Sequence, residues 1–193
     1  MHTSLTALAS EFDAAALWAK RLADQYPAAA WTPRPASGGW PAVDCLAHLN
    51  VTAAAFWPGL ERAWQAVQAM PSAGEPFRLS LLERLLLWFI EPPYRQKIKT
   101  PPAFEPTTQP TTQFAEQVRA QFQDHSARLA AFVLSLEGFA VDRPRLVSPF
   151  NPRIHYSLWA GLKIMVAHHR RHLWQAERTL AQAAAPQALI TRA

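Results

Sequence analysis

Along four long stretches of the chain, apolar residues recur at intervals of three and four, the spacing that lines one face of an α-helix. In the first, Leu5, Leu8, Phe12, Ala15, Ala19, Leu22 and Tyr26 make one stripe that ends before Pro27, with Ser4 placed as its N-cap. The second follows Gly38-Gly39-Trp40-Pro41, where proline suits a first helical turn, and carries Cys45, His48, Leu49, Thr52 and Phe56. Pro58-Gly59 is expected to kink or interrupt it, after which Leu60, Trp64 and Val67 resume the spacing as far as Met70-Pro71. The third starts near Thr111 or Thr112, aligns Phe114, Val118, Phe122, His125, Leu129, Phe132 and Leu136, and stops at Gly138. The fourth runs from about Ser157 to Ala184 and ends before Pro186. Its stripe is Leu158, Leu162, Met165, His169, His172, Ala176 and Leu180, with His168 beside it.

No segment of comparable length alternates as a strand would, so the pattern predicts an all-α fold. Between the second and third long helices lies a Pro-rich stretch, residues 71–110, holding one short apolar helix, Leu79 to Ile90. Pro92-Pro93, Pro101-Pro102, Pro106 and Pro110 forbid long regular structure there. Phe77, Trp88, Phe89, Tyr94 and Phe104 supply apolar surface to dock the stretch on one side or end of the helices. So long a crossover also permits neighbouring helices to run parallel.

A chain of 193 residues, 50% hydrophobic, fits a single globular domain spanning residues 1–193. The net charge of +5 comes from scattered residues, and the one dense basic pair is Arg170-Arg171, so nucleic acid is not the expected partner. An anionic small molecule uses such charge equally well. Cys45 is the single cysteine, which excludes an intrachain disulfide and fits a reducing compartment. The N-terminus lacks the basic and apolar regions of a signal peptide. Leu79 to Ile90 is broken by Glu83-Arg84 and is too short to span a bilayer, so a cytoplasmic protein without membrane contact is expected.

Candidate chemistry centres on His168-His169-Arg170-Arg171-His172. Histidines four apart on a helix lie one turn above each other, with Cβ atoms roughly 5–6 Å apart, so His168 and His172 can reach one ion. With His48 from another helix they make three imidazoles, a set suited to a divalent transition metal with positions left for water or substrate. His169, three before His172, could share its face; a core histidine is the simpler role for it, and for His125. Gln175 lies on the face of His168 and His172, where it could bond a ligand or a bound water or serve as a plain surface residue. Cys45, three before His48, is either an extra soft ligand or a buried structural thiol. Arg143, Arg145 and Arg153 precede the last helix; an ordinary solvated loop is the simpler role, and they would bind a substrate carboxylate or phosphate if the loop folds over the metal end. Trp40, Trp57, Trp64, Trp88, Trp159 and Trp174 supply core and interface packing, with a dimer contact the alternative for Trp174, on a different face from His172. With only 6 glycines there is no Gly-rich phosphate loop, and there is no His-Glu-x-x-His helix, cysteine pair or nucleophile elbow.

The run Gly39-Trp40-Pro41-Ala42-Val43-Asp44-Cys45-Leu46-Ala47-His48-Leu49, followed much later by His168 through Gln175, resembles the DinB/YfiT-like superfamily of candidate metalloenzymes. The likeness extends from about Trp31 to Leu180. It implies a four-helix bundle, here with the long Pro-rich crossover and its short extra helix, and it maps three metal-binding histidines onto His48, His168 and His172. It further implies a zinc- or nickel-like divalent ion, a small-molecule substrate, a possible homodimer and, for a minority of members, transferase or isomerase chemistry using small thiols. The chain departs from the pattern at Asp44, where relatives usually carry Glu or another polar residue, and at Pro58-Gly59. A metal-dependent hydrolase or small-thiol transferase is therefore expected. The alternative is a non-catalytic helical binding protein whose three histidines are satisfied without metal.

Overall fold

The computed structural model describes residues 3–36, 38–72, 74–91, 99–106 and 111–184. Among these, the helices are α1 (Thr3–Gln25), α2 (Ala42–Gln68), α3 (Leu81–Ile90), α4 (Thr112–Ser135) and α5 (Leu158–Ala184), with short 3-10 turns at Ala28–Trp31 and Pro102–Phe104. The all-α expectation stands with one addition, a two-stranded antiparallel ribbon of β1 (Arg145–Val147) and β2 (His155–Ser157) in which Leu146 faces Tyr156. Strands this short leave no alternation to read. Pro92, Pro93, Tyr94, Pro110 and Pro186, assigned roles above, lie outside the described residues.

Local chemistry explains most boundaries. The Thr111 hydroxyl accepts from the Phe114 N–H at 3.1 Å to open α4, and Gly138, at φ +85°, takes the left-handed conformation beyond its end. The Ser157 hydroxyl accepts from the Ala160 N–H at 3.1 Å and opens α5. Ser4 is not the cap expected for α1: the helix is already under way at Thr3, and the Ser4 N–H donates to Glu75 Oε1 at 2.5 Å. A carboxylate thus sits at the positive end of the helix dipole. Pro58 does not interrupt α2, which runs continuously through it. A proline inside a helix costs roughly 3 kcal/mol. Trp57, Leu60 and Val67 are all buried around and beyond it, and at about 1.5–3 kcal/mol for each large side chain their packing outweighs that cost.

α1 packs on α4 and α5, and α2 packs on the same two helices, while α3 lies against α5. One core cluster gathers Phe12, Leu60, Leu129, Leu162 and their neighbours, and a second gathers Leu22, Trp31, Leu46, Phe122 and Leu173. At Gly161 an added Cβ would stand 2.6 Å from Leu146 Cδ1 and 3.1 Å from Tyr156 Cε2, so the missing side chain lets the ribbon press onto α5. Among the described residues, no helix is long and apolar enough to cross a membrane.

The short helix α3 is tied down by ionic groups. Arg170 on α5 pairs with Glu11 on α1 and with Glu91 just beyond α3. Glu83, read from the sequence only as a break in an apolar run, is 3% exposed and joins three elements. It forms a capping box with Ser80, accepting the Ser80 N–H at 2.8 Å, and its other oxygen accepts the Ser157 N–H at 2.6 Å and faces Arg145 at 3.5 Å. Burial pushes its carboxyl up, yet the Ser157 and Ser80 donors together hold it below the usual range. Glu83→Ala strands these buried N–H groups and is expected to cost about 2–4 kcal/mol, a fall of roughly 5–10 °C in Tm by differential scanning calorimetry. An unchanged Tm would show that water replaces the carboxylate at no loss.

Candidate metal centre

His48 stands on α2, nearly two turns in from the helix start at Ala42. Gly38 (φ +78°) and Gly39 (φ +106°) adopt left-handed conformations that side chains disfavour, and Arg34 Nη1 donates to the Gly39 carbonyl at 2.6 Å. This turn delivers Trp40 onto the histidines. Its ring lies 5.0 Å from that of His48 and nearly parallel to that of His172, at 5.8 Å and 23°. His168 and His172 stand one turn apart on α5, against which α2 packs. One nitrogen from each of His48, His168 and His172 falls within 4.8 Å of the others.

The donor set suits a metal ion. His48 Nδ1 lies 2.8 Å from the Phe104 carbonyl, which can only accept, so that nitrogen carries the proton and the Nε2 lone pair faces the other two rings. His48 Nε2 and His168 Nε2 are 3.1 Å apart. Two imidazoles on a tetrahedral ion at about 2.0–2.1 Å would stand roughly 3.3 Å apart, so this pair is already at ligand spacing. Burial lowers the pKa of all three. For His48 the bond to Phe104 partly opposes it. For His168 and His172, which lie well below the usual value, the neighbouring histidines and Arg171 reinforce it. All three are neutral near pH 7, the form in which histidine binds metal.

The neighbouring candidates divide clearly. His169 is 2% exposed and turns the other way, its ring 5.5 Å from Phe12 and 5.2 Å from Phe122. It is a core histidine, and burial brings its pKa to about 3. His125 is half-buried on α4 and outside the cluster. Cys45 lines the adjacent cavity but falls outside the convergent atoms, and burial, followed by the charge of Asp44, pushes its thiol up to about 12.

A cavity of about 1050 Å³ opens over the three imidazoles, with Trp40, Phe56, Phe89, Phe150 and Ile154 among its walls. The segment joining the two strands does fold over this end: Ser148, Phe150, Asn151 and Ile154 line the cavity, and the Phe150 ring lies 5.7 Å from His168. Its arginines do not. Arg143, Arg145 and Arg153 are absent from the lining, and Arg145 turns to Glu83 and donates to the His155 carbonyl at 2.9 Å. Gln175 lines the cavity, as does Trp174, which the sequence suggested for a dimer contact. Two features escaped sequence reasoning. The Phe104 carbonyl is a main-chain acceptor 56 residues from His48 and carries no side-chain signal. The cavity-facing stripe of α5 keeps the same helical spacing as its core stripe, so spacing alone does not single it out.

No curated protein and no solved structure matches the chain. A family model does: that of the DinB superfamily matches residues 12–176, a span that takes in α2, α4, all three convergent histidines and the Trp40 loop. With most of its length under that match, the chain belongs to the DinB superfamily.

Proposed function

We propose that the protein is a single-domain four-helix bundle that holds a divalent transition metal, zinc or nickel, on His48, His168 and His172, and acts on a small molecule as a hydrolase or small-thiol transferase. The observation that carries this reading is the convergence of three neutral imidazoles on one wall of a large cavity. The packing of α1 and α2 against α4 and α5 supports the bundle, with α3 laid against α5 and the Pro102–Phe104 turn against α2. When bound, such an ion lowers the pKa of a coordinated water or thiol and polarises a substrate oxygen. The chain's part is to keep the ligands neutral, to fix the His48 ring through Phe104, and to cover the site with Trp40 and Phe150. The lone buried Cys45 supports a cytoplasmic location. A homodimer would find an apolar surface on α3, where Leu81, Leu82, Leu85 and Trp88 are exposed.

One observation favours a non-catalytic binding module as the second reading: among the described residues no aspartate or glutamate lines the cavity to serve as a general base. The deciding measurement is the metal content of protein purified without an affinity tag, beside a His172→Ala variant of confirmed fold. About one transition metal per chain, falling to background in the variant, is expected. Negligible metal in both, persisting after incubation with zinc or nickel, would leave the binding module.

A further inference from the structure

α2 and α5 run antiparallel along the cavity. A Cβ added at Gly59 on α2 or at Gly161 on α5 would stand 3.6 Å and 2.6 Å from the same Leu146 side chain, while His48 meets His168 and His172 farther along. The cavity wall on either side of the three imidazoles can therefore be sorted by its place on these helices. On the side towards Leu146, α2 contributes Phe56 and α5 contributes Ile164. Phe150 bridges this side to the histidines, its ring 6.1 Å from that of Phe56 and 5.7 Å from that of His168. α3 lies beside the same part of α5, because Glu83 near its start accepts the Ser157 N–H and Glu91 just beyond its end pairs with Arg170. The side chains that α3 gives the cavity are Leu86, Phe89 and Ile90, all apolar, while Ser148, Asn151 and Tyr156 bring polar atoms at the ribbon edge. On the far side of the histidines the wall changes character: beyond His172, α5 contributes Trp174, Gln175, Arg178, Thr179 and Gln182.

We infer that the cavity takes an amphipathic small molecule, its apolar chain lying between α3 and the side chains of Phe56, Phe150 and Ile164, and its polar end reaching the histidines and the Gln175 side beyond them. The inference rests on reading the cavity as the place where a small molecule meets the metal, and it states which part of that molecule lies on which side. Phe56 stands about 12 Å beyond His48 along α2, so the apolar section has the depth for an extended chain. Each methylene laid against this hydrocarbon wall leaves water, and affinity grows with chain length.

The test titrates butanohydroxamate, hexanohydroxamate and octanohydroxamate by isothermal titration calorimetry into chelator-stripped and zinc-loaded protein. The head group reads the metal and the chain reads the apolar section. Each lengthening by two methylenes is expected to tighten binding about 10-fold in both forms. Phe89→Glu sets a carboxylate in the apolar section and is expected to bring that step towards unity, and Leu86→Gln, on the same half-buried face, serves where the first variant fails to fold. Leu85→Glu, on the outward face of α3 where Leu85 is 58% exposed, is expected to leave the step as it is in the wild type. Equal binding of all three hydroxamates would overturn the inference. So would a step that survives both cavity variants, or one that Leu85→Glu abolishes, since the chain would then lie on the outside of α3. A protein that never binds zinc yet shows the step would retire the metal reading and leave this one standing, and zinc that tightens every hydroxamate equally, with no step, would do the reverse.

Discussion

Zinc added to chelator-stripped protein is expected to raise the unfolding midpoint by about 10 °C, and His168→Ala is expected to lose that gain. Three ligands on two helices, His48 on α2 and His168 and His172 on α5, make an ion a clamp between elements far apart in the chain. A ligand that binds only the folded state stabilises it by about 4 kcal/mol at a thousand times its Kd. For a protein of this size each kcal/mol moves the midpoint by roughly 2–4 °C. Trp40, packed against both His48 and His172, gives a second readout, because zinc should change tryptophan fluorescence in the wild type alone. An equal zinc-induced shift in the variant would place the ion elsewhere. No shift in either protein would remove the clamp altogether.

Acid is expected to unfold the metal-free protein cooperatively, with stability starting to fall just below pH 6.5. His48, His168, His169 and His172 all have folded pKa values lowered by burial. In the unfolded chain each imidazole takes up a proton near 6.5, while in the folded protein it resists doing so. The stability of the neutral, buried form is therefore complete above pH 6.5 and is lost as pH falls, at about 1.4 kcal/mol per unit for each histidine, down to its folded value. For His169 that value is about 3. His169 alone, lowered from 6.5 to about 3, removes roughly 5 kcal/mol, about half of a typical stability of order 10 kcal/mol, and the other three histidines add to that loss. Denaturant titrations at several pH values would measure the slope. His169→Phe, placed between Phe12 and Phe122, should reduce it by one histidine's share. A slope unchanged by that substitution would mean that His169 is already protonated in the folded protein.

The four long helices were legible because each combines an apolar stripe with punctuation at its ends: Pro27 after α1, Pro41 before α2, Thr111 and Gly138 about α4. At Pro58 the local rule lost to burial. The sequence shows the lost backbone hydrogen bond but not Trp57 and Leu60 sunk in the core on either side of it. In the site, the pair four residues apart on α5 could be read directly, because helical spacing fixes it. The choice between His168 and His169 depended on which side of α5 faces the aromatic core, a tertiary fact that places His169 against Phe12 and Phe122. For the loop arginines, the sequence shows no partner that decides between a solvated loop and a substrate clamp. Glu83, whose capping box with Ser80 has a sequence signature, supplies that partner for Arg145 from across the fold.

The bond from His48 Nδ1 to the Phe104 carbonyl ties the aim of a candidate ligand to a stretch of chain without any histidine in it. Phe104 sits in a tight turn behind Pro101 and Pro102, which narrow the conformations open to its backbone. The Pro102–Phe104 turn is in this sense a gauge block for the candidate metal centre. Altering its length or its prolines would turn the His48 ring and change which nitrogen keeps the proton, so divergence there could retune the site while leaving every histidine in place.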